Sequence, residues 1–96
     1  MTDENLRAKI NLETSRIAWS ELQRFFAAGT AVYVAANLDL IEVATRIADD
    51  DKAQVQQWMQ QGLLGQVSDE QARAWFEVDA ELWAVVVKPW VLVQPA

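Results

Sequence analysis

The sequence has no cysteine and no histidine, and only three glycines and two prolines among 96 residues. Without cysteine there is no disulfide, no thiolate nucleophile and no thiolate metal site, which suits a reducing cytoplasm. Without histidine the usual general base and the commonest transition-metal ligand are missing. Together these absences exclude most nucleophilic triads and zinc chemistry. The glycines, Gly29, Gly62 and Gly65, are scattered and form no phosphate-cradling loop. Cations are also short: eight Lys and Arg face fourteen Asp and Glu, for a net charge of −6. That balance opposes non-specific attraction to nucleic acid or anionic lipid. No apolar run approaches the roughly 20 residues needed to span a bilayer. The start, Met1-Thr2-Asp3-Glu4, lacks the basic and then apolar pattern of a secretory leader. A cytoplasmic protein that engages neither nucleic acid nor membrane is expected.

Tryptophan is the residue in excess, with five in so short a chain. An indole combines a large apolar ring with an N–H that wants a partner, a pairing enriched at interfaces as well as in cores. Two of the five sit in the most apolar stretch, Leu82 to Gln94, interrupted only by Lys88 and Pro89. Its valines favour extended backbone, because branching at Cβ suits a pleated surface better than a helical turn. Read as one continuous strand, alternation puts Trp83, Val85, Val87, Val91 and Val93 on one face. Leu82, Ala84, Val86, Trp90 and Leu92 then fall on the other. Both faces are apolar, so both need cover, and Val86 counts as core.

The rest of the chain supplies that cover. Residues 3–28 contain no glycine or proline and read as helix, with an apolar phase shift that places a break near Thr14-Ser15. The second helix then runs from about residue 15 to Ala28, and residues 1–12 form a loosely attached helical arm. Thr30 to Ala35 is a short strand. Asp39 with Glu42 has capping-box spacing and opens a helix from Leu40 to Ala48. Asp51 is the N-cap of the next helix, residues 52–61, whose apolar stripe is Val55, Trp58 and Met59. Leu63 to Val67 reads as strand, and Ser68 with Gln71 caps a helix reaching about Val78.

The order predicts an α+β domain over residues 13–96. Its sheet is small, three-stranded and antiparallel, with the C-terminal strand central and four to five helices packed on it. The segment Ile41 to Leu64 has the spacing of a helix-turn-helix, so one form of this fold is winged-helix-like.

Candidate chemistry is sparse. Asp49-Asp50-Asp51 offers hard carboxylate oxygens, yet the glycine and distal glutamate of a calcium loop are absent, and an inter-helix turn accounts for it. Gln54, Gln56, Gln57, Gln60 and Gln61 could read adenine edges, but their helix brings Lys52 alone to phosphates. Asp79 and Glu81 carry no second signal for acid–base work and read as turn residues. No catalytic residue, cofactor or metal is therefore expected.

Several segments together resemble a known family. They are Glu13-Thr14, Ile17, Trp19, Glu21-Leu22, Phe26-Ala27, Gly29, Leu38 to Ala44, Trp58, Leu82 to Val87 and Pro89-Trp90-Val91-Leu92-Val93-Gln94. The likeness is to short bacterial proteins of unknown function, and it covers residues 13–94. Its most specific part is the closing Pro-Trp-Val-Leu-Val-Gln. The resemblance implies a bacterial, cytoplasmic setting and carries no activity with it.

The functional expectation is a non-catalytic interaction protein that binds a protein partner or itself as a homodimer. Its candidate interface is Trp83, Trp90, Leu92, Gln57 and Gln60. The alternatives are a winged-helix-like module that binds nucleic acid or a regulator, and a small-ligand binder or enzyme with a Trp-lined pocket. DNA binding needs cations such as Lys9, Arg16, Arg24 and Lys52 to converge. A ligand site needs a cavity with a Trp and a charge, and the interaction reading needs an exposed apolar patch.

Overall fold

The computed structural model describes residues 2–96. Among the described residues the chain forms five helices and five strands. In order these are α1 (Thr2–Glu13), β1 (Ser15–Ala18), α2 (Trp19–Ala27), β2 (Ala31–Val34), α3 (Leu40–Ala48), α4 (Lys52–Gln60), β3 (Leu64–Gln66), α5 (Asp69–Val78), β4 (Glu81–Val87) and β5 (Trp90–Pro95). The strands make one sheet in the order β1-β4-β5-β2-β3. Neighbours run antiparallel except β2 and β5, which are parallel. The fold is α+β with the last strand central, as the sequence indicates. The sheet is larger than the expected three strands and mixed rather than antiparallel. A three-stranded winged-helix sheet therefore does not describe it.

Two corrections explain the extra strands. Ser15 to Ala18 reads locally as helix but pairs with β4, setting Ile17 opposite Leu82 and Ala18 opposite Glu81. The Thr14 hydroxyl donates to the Ile10 carbonyl at 2.7 Å where α1 ends, the side-chain-to-backbone bonding by which Thr competes with helix continuation. The break is where the phase shift places it, but the segment after it is extended. The long C-terminal run is likewise two strands, folded back at Lys88-Pro89, with Val87 opposite Trp90. The Lys88–Pro89 peptide bond is cis.

That hairpin resets the alternation, because residues directly opposite in an antiparallel pair share a face. Trp83, Val85 and Val87 lie with Trp90 and Leu92, while Leu82, Ala84 and Val86 lie with Val91 and Val93. Trp83 and Trp90 thus share a face of the sheet, against the continuous-strand reading.

Each face has its own core. Over the first pack α2 and α5, which bring Trp19, Leu22 and Ala72 against Leu82, Ala84, Val91 and Val93. Trp19 is fully buried with its ring 5.2 Å from Trp75 and 5.9 Å from Phe26. Its indole N–H has no hydrogen-bond partner among the described residues, so these ring contacts and the burial must outweigh an unmet donor. Over the second face pack α1, α3 and α4, with Ile10, Leu40, Val43 and Ala44 on Val34, Val85 and Leu92. Within the segment expected to be a loose arm, Ile10 is buried in this core and Leu6 packs beside it.

The helix starts follow the local signals closely. Asp39 accepts the Ile41 and Glu42 amides at 2.9 and 3.4 Å, and Asp51 accepts that of Gln54 at 3.2 Å. Ser68 and Gln71 complete a reciprocal capping box at 3.1 and 3.0 Å. Ser68→Ala should cost about 1 kcal/mol in urea unfolding. Because Ser68 lines no part of the cleft described below, ligand binding should be unchanged. A loss of binding at normal stability would make Ser68 part of a site. The start of α2 is different, since its N-cap position, Ala18, offers no side-chain acceptor. Asp79 supplies one from the end of α5, in a left-handed conformation with φ 46°, and accepts the Ser20 amide at 3.2 Å. Glu81 pairs with Arg16 at 3.1 Å. The two acids of this turn thus tie α2 and β1 to β4.

Candidate functional site

The turn between α3 and α4 builds one wall of an apolar concavity. Asp49 caps the C-terminus of α3, Asp50 takes the left-handed conformation with φ 59°, and Asp51 caps α4. Arg46 locks the turn, donating from Nε to Glu42 at 2.8 Å and from Nη1 to Asp51 at 3.3 Å. The hydrogen bond and charge of Glu42 raise the Arg46 pKa further above its ordinary value, with Asp51 a smaller contributor. The three aspartates therefore act as cap, turn and cap. Among the described residues no group of three or more acidic, Cys or His side chains is placed to hold a metal.

With the turn held, α4 lies beside β3 and leaves part of the second sheet face open near the β4–β5 hairpin. The resulting cleft has a volume of about 700 Å³, within the range of small-ligand pockets. Its apolar lining is Ile47 from α3, Val55 and Met59 from α4, and Val32, Leu64 and Trp90 from the sheet. Val55 and Met59 are four apart, so α4 turns both toward the same side. Trp90 is 39% exposed and Met59 55%. Polar and charged groups, Asp50, Asp51, Lys52, Gln66 and Lys88, complete the lining.

The expected interface residues divide. Trp90 lines the cleft. Trp83 is 40% exposed on the same sheet face but outside the cleft, with the Arg16 guanidinium 5.7 Å from its ring centre. Gln57 and Gln60 are exposed on α4 and do not line the cleft. Leu92 is fully buried against α3, so it belongs to the core and cannot meet a partner. The structure brings α4 and Trp90 together, but through Val55 and Met59 instead of the glutamines. Met59 was legible only as part of a buried stripe. Val55 and Trp58 of that stripe pack against the core while Met59 stands exposed, and no signal within α4 itself distinguishes them.

The whole is a mixed five-stranded sheet with helices on both faces and an apolar cleft open at one end. The chain belongs to the family described as "Protein of unknown function (DUF2288)", whose model matches residues 5–95. It is similar to a solved structure titled "NMR solution structure of PA1075 from Pseudomonas Aeruginosa". The two are 48% identical with a TM-score of 0.82, over 94% of this chain and 83% of that one. Among curated proteins none matches the chain. No helix among the described residues is long and apolar enough to cross a membrane.

Proposed function

We propose that this chain is a non-catalytic binding protein of the cytoplasm whose working surface is the cleft between α4 and the β4–β5 hairpin. The observation that carries this is the open apolar lining around half-exposed Trp90 and Met59. Such groups left in water within a concave site suit the insertion of an apolar group from a ligand. The polar groups of the lining support binding over turnover: Asp51 is engaged as a helix cap and by Arg46. Nucleic acid is disfavoured because α2 and α4 cover opposite faces of the sheet, which keeps Arg24 and Lys52 apart.

The closing Pro89-Trp90-Val91-Leu92-Val93-Gln94 segment is, on this proposal, the hallmark of the family, since each member has a separate task. Pro89 makes the turn and Trp90 walls the cleft. Val91 and Val93 enter one core and Leu92 the other, while Gln94 holds a loop.

The plain apolar probe is 1-octanol, titrated into ¹⁵N-labelled protein. Amide shifts should concentrate at Val32, Val55, Met59 and Trp90. Shifts confined to other surfaces would remove the cleft from consideration. Trp90→Ala should abolish the response while costing only about 1–2 kcal/mol, less than a fully buried tryptophan. Self-association is the second reading, favoured by Trp83 and Trp90 standing partly exposed on one sheet face. Sedimentation equilibrium decides it, a concentration-independent monomer ruling the homodimer out.

A further inference from the structure

The charges lining the cleft are two acids, Asp50 and Asp51, and two cations, Lys52 and Lys88, but they are not equally engaged. Asp51 is occupied on both oxygens, one by the Gln54 amide and the other by Arg46. Asp50 and Lys52 stand 4.0 Å apart and largely offset one another. Lys88, at the tip of the β4–β5 hairpin and two residues from Trp90, makes no ion pair among the described residues. Its ammonium is therefore the one charge of the lining without a partner among the described residues, at the mouth of an apolar cleft in a chain whose net charge is −6.

We propose that the cleft takes a small carboxylate with an apolar body, a proposal that rests on the cleft being the working site. The apolar body lies among Val55, Met59 and Trp90, and the carboxylate meets the Lys88 Nζ. One unpaired ammonium suits a monoanion, whereas a phosphate dianion near Asp50 and Asp51 would be left under-compensated. An extended acidic polymer would meet the repulsion of the whole acidic chain. The plain structural alternative is that Lys88 only discourages edge-to-edge strand pairing at the hairpin, and the experiment separates the two.

The full chain, ¹⁵N-labelled, is titrated with octanoate, 1-octanol and octylammonium, the two ions below their micellar range and 1-octanol below its solubility limit. Octanoate is expected to shift the cleft amides at concentrations about two- to fivefold lower than 1-octanol, the scale of a solvent-exposed ion pair. Octylammonium should bind more weakly than either. Lys88→Gln should bring octanoate down to the level of 1-octanol and leave 1-octanol unchanged. Lys52→Gln should do less, because Asp50 already offsets that cation. If 1-octanol matches octanoate and Lys88→Gln changes nothing, the charge assignment falls while the cleft stands. Tighter binding of octylammonium than octanoate overturns the sign of the proposal. If none of the three moves the cleft amides, the cleft itself falls as well.

Discussion

Val85→Asp is expected to unfold the protein, whereas the same substitution one residue later, Val86→Asp, should leave it folded. Val85 is 2% exposed and packs with Leu92, Val43 and Ile10 between the sheet and α1 and α3. A carboxylate there has no partner, and burying one costs several kcal/mol against a total stability of about 5–15 kcal/mol. Val86 points to the opposite face and is 52% exposed, because α2 and α5 do not reach the hairpin end of that face. An acid at Val86 reaches water and should shift stability by no more than about 1 kcal/mol. Circular dichroism and amide-proton dispersion on both variants provide the comparison. The pair also tests the hairpin register, since a one-residue slip would exchange the two outcomes.

Gln94 should show the next largest effect. It is buried, and its Nε2 donates to the carbonyls of Ala35 at 2.9 Å and Leu38 at 2.6 Å, which ties the β2–α3 loop to the central strand. Gln94→Ala removes both bonds; the Ala35 carbonyl keeps the Leu38 amide at 3.0 Å, but the Leu38 carbonyl loses its Gln94 donor, an unmet polar group that costs about 1–3 kcal/mol. Gln94→Glu should be worse at neutral pH, because a carboxylate would face two carbonyl oxygens. Such a carboxyl has its folded-state pKa raised above its unfolded value. The added destabilisation is therefore full above the folded pKa and is relieved as pH falls through it toward the unfolded one. Urea unfolding at neutral and mildly acidic pH should show the Gln94→Glu deficit shrinking on acidification. The Gln94→Ala deficit should hold steady relative to the parent. Parallel behaviour of the two variants would mean that the amide is not the donor that fastens the loop.

Helix starts were legible because caps are local. Asp39, Asp51 and Ser68 each bond an amide two or three residues ahead, within the span a short window of sequence can see. The need for cover on both faces of the C-terminal run was legible too, from apolar residues at odd and even positions alike. Strand count was not. β1 borrows its hydrogen bonds from β4, more than sixty residues away along the chain, and nothing in Ser15-Arg16-Ile17-Ala18 announces that partner. The parallel pairing of β2 with β5 is equally remote.

The candidate site divides along the same line. Sequence singled out Trp90 as an aromatic in a strand needing cover, and composition excluded thiol and imidazole chemistry before any fold was known. Which face Trp90 occupies depended on the turn at Lys88-Pro89, since a hairpin and a continuous strand give opposite answers for every residue beyond it. The cleft lies between α4 and the hairpin end of the sheet. Its lining comes from α3, α4, β2, β3 and the hairpin, segments brought together only by the strand order. Local hydrogen-bonding and apolar periodicity act over a few residues and are written in the sequence. Register, facing and concavity are properties of distant segments meeting, and the tertiary structure alone decides them.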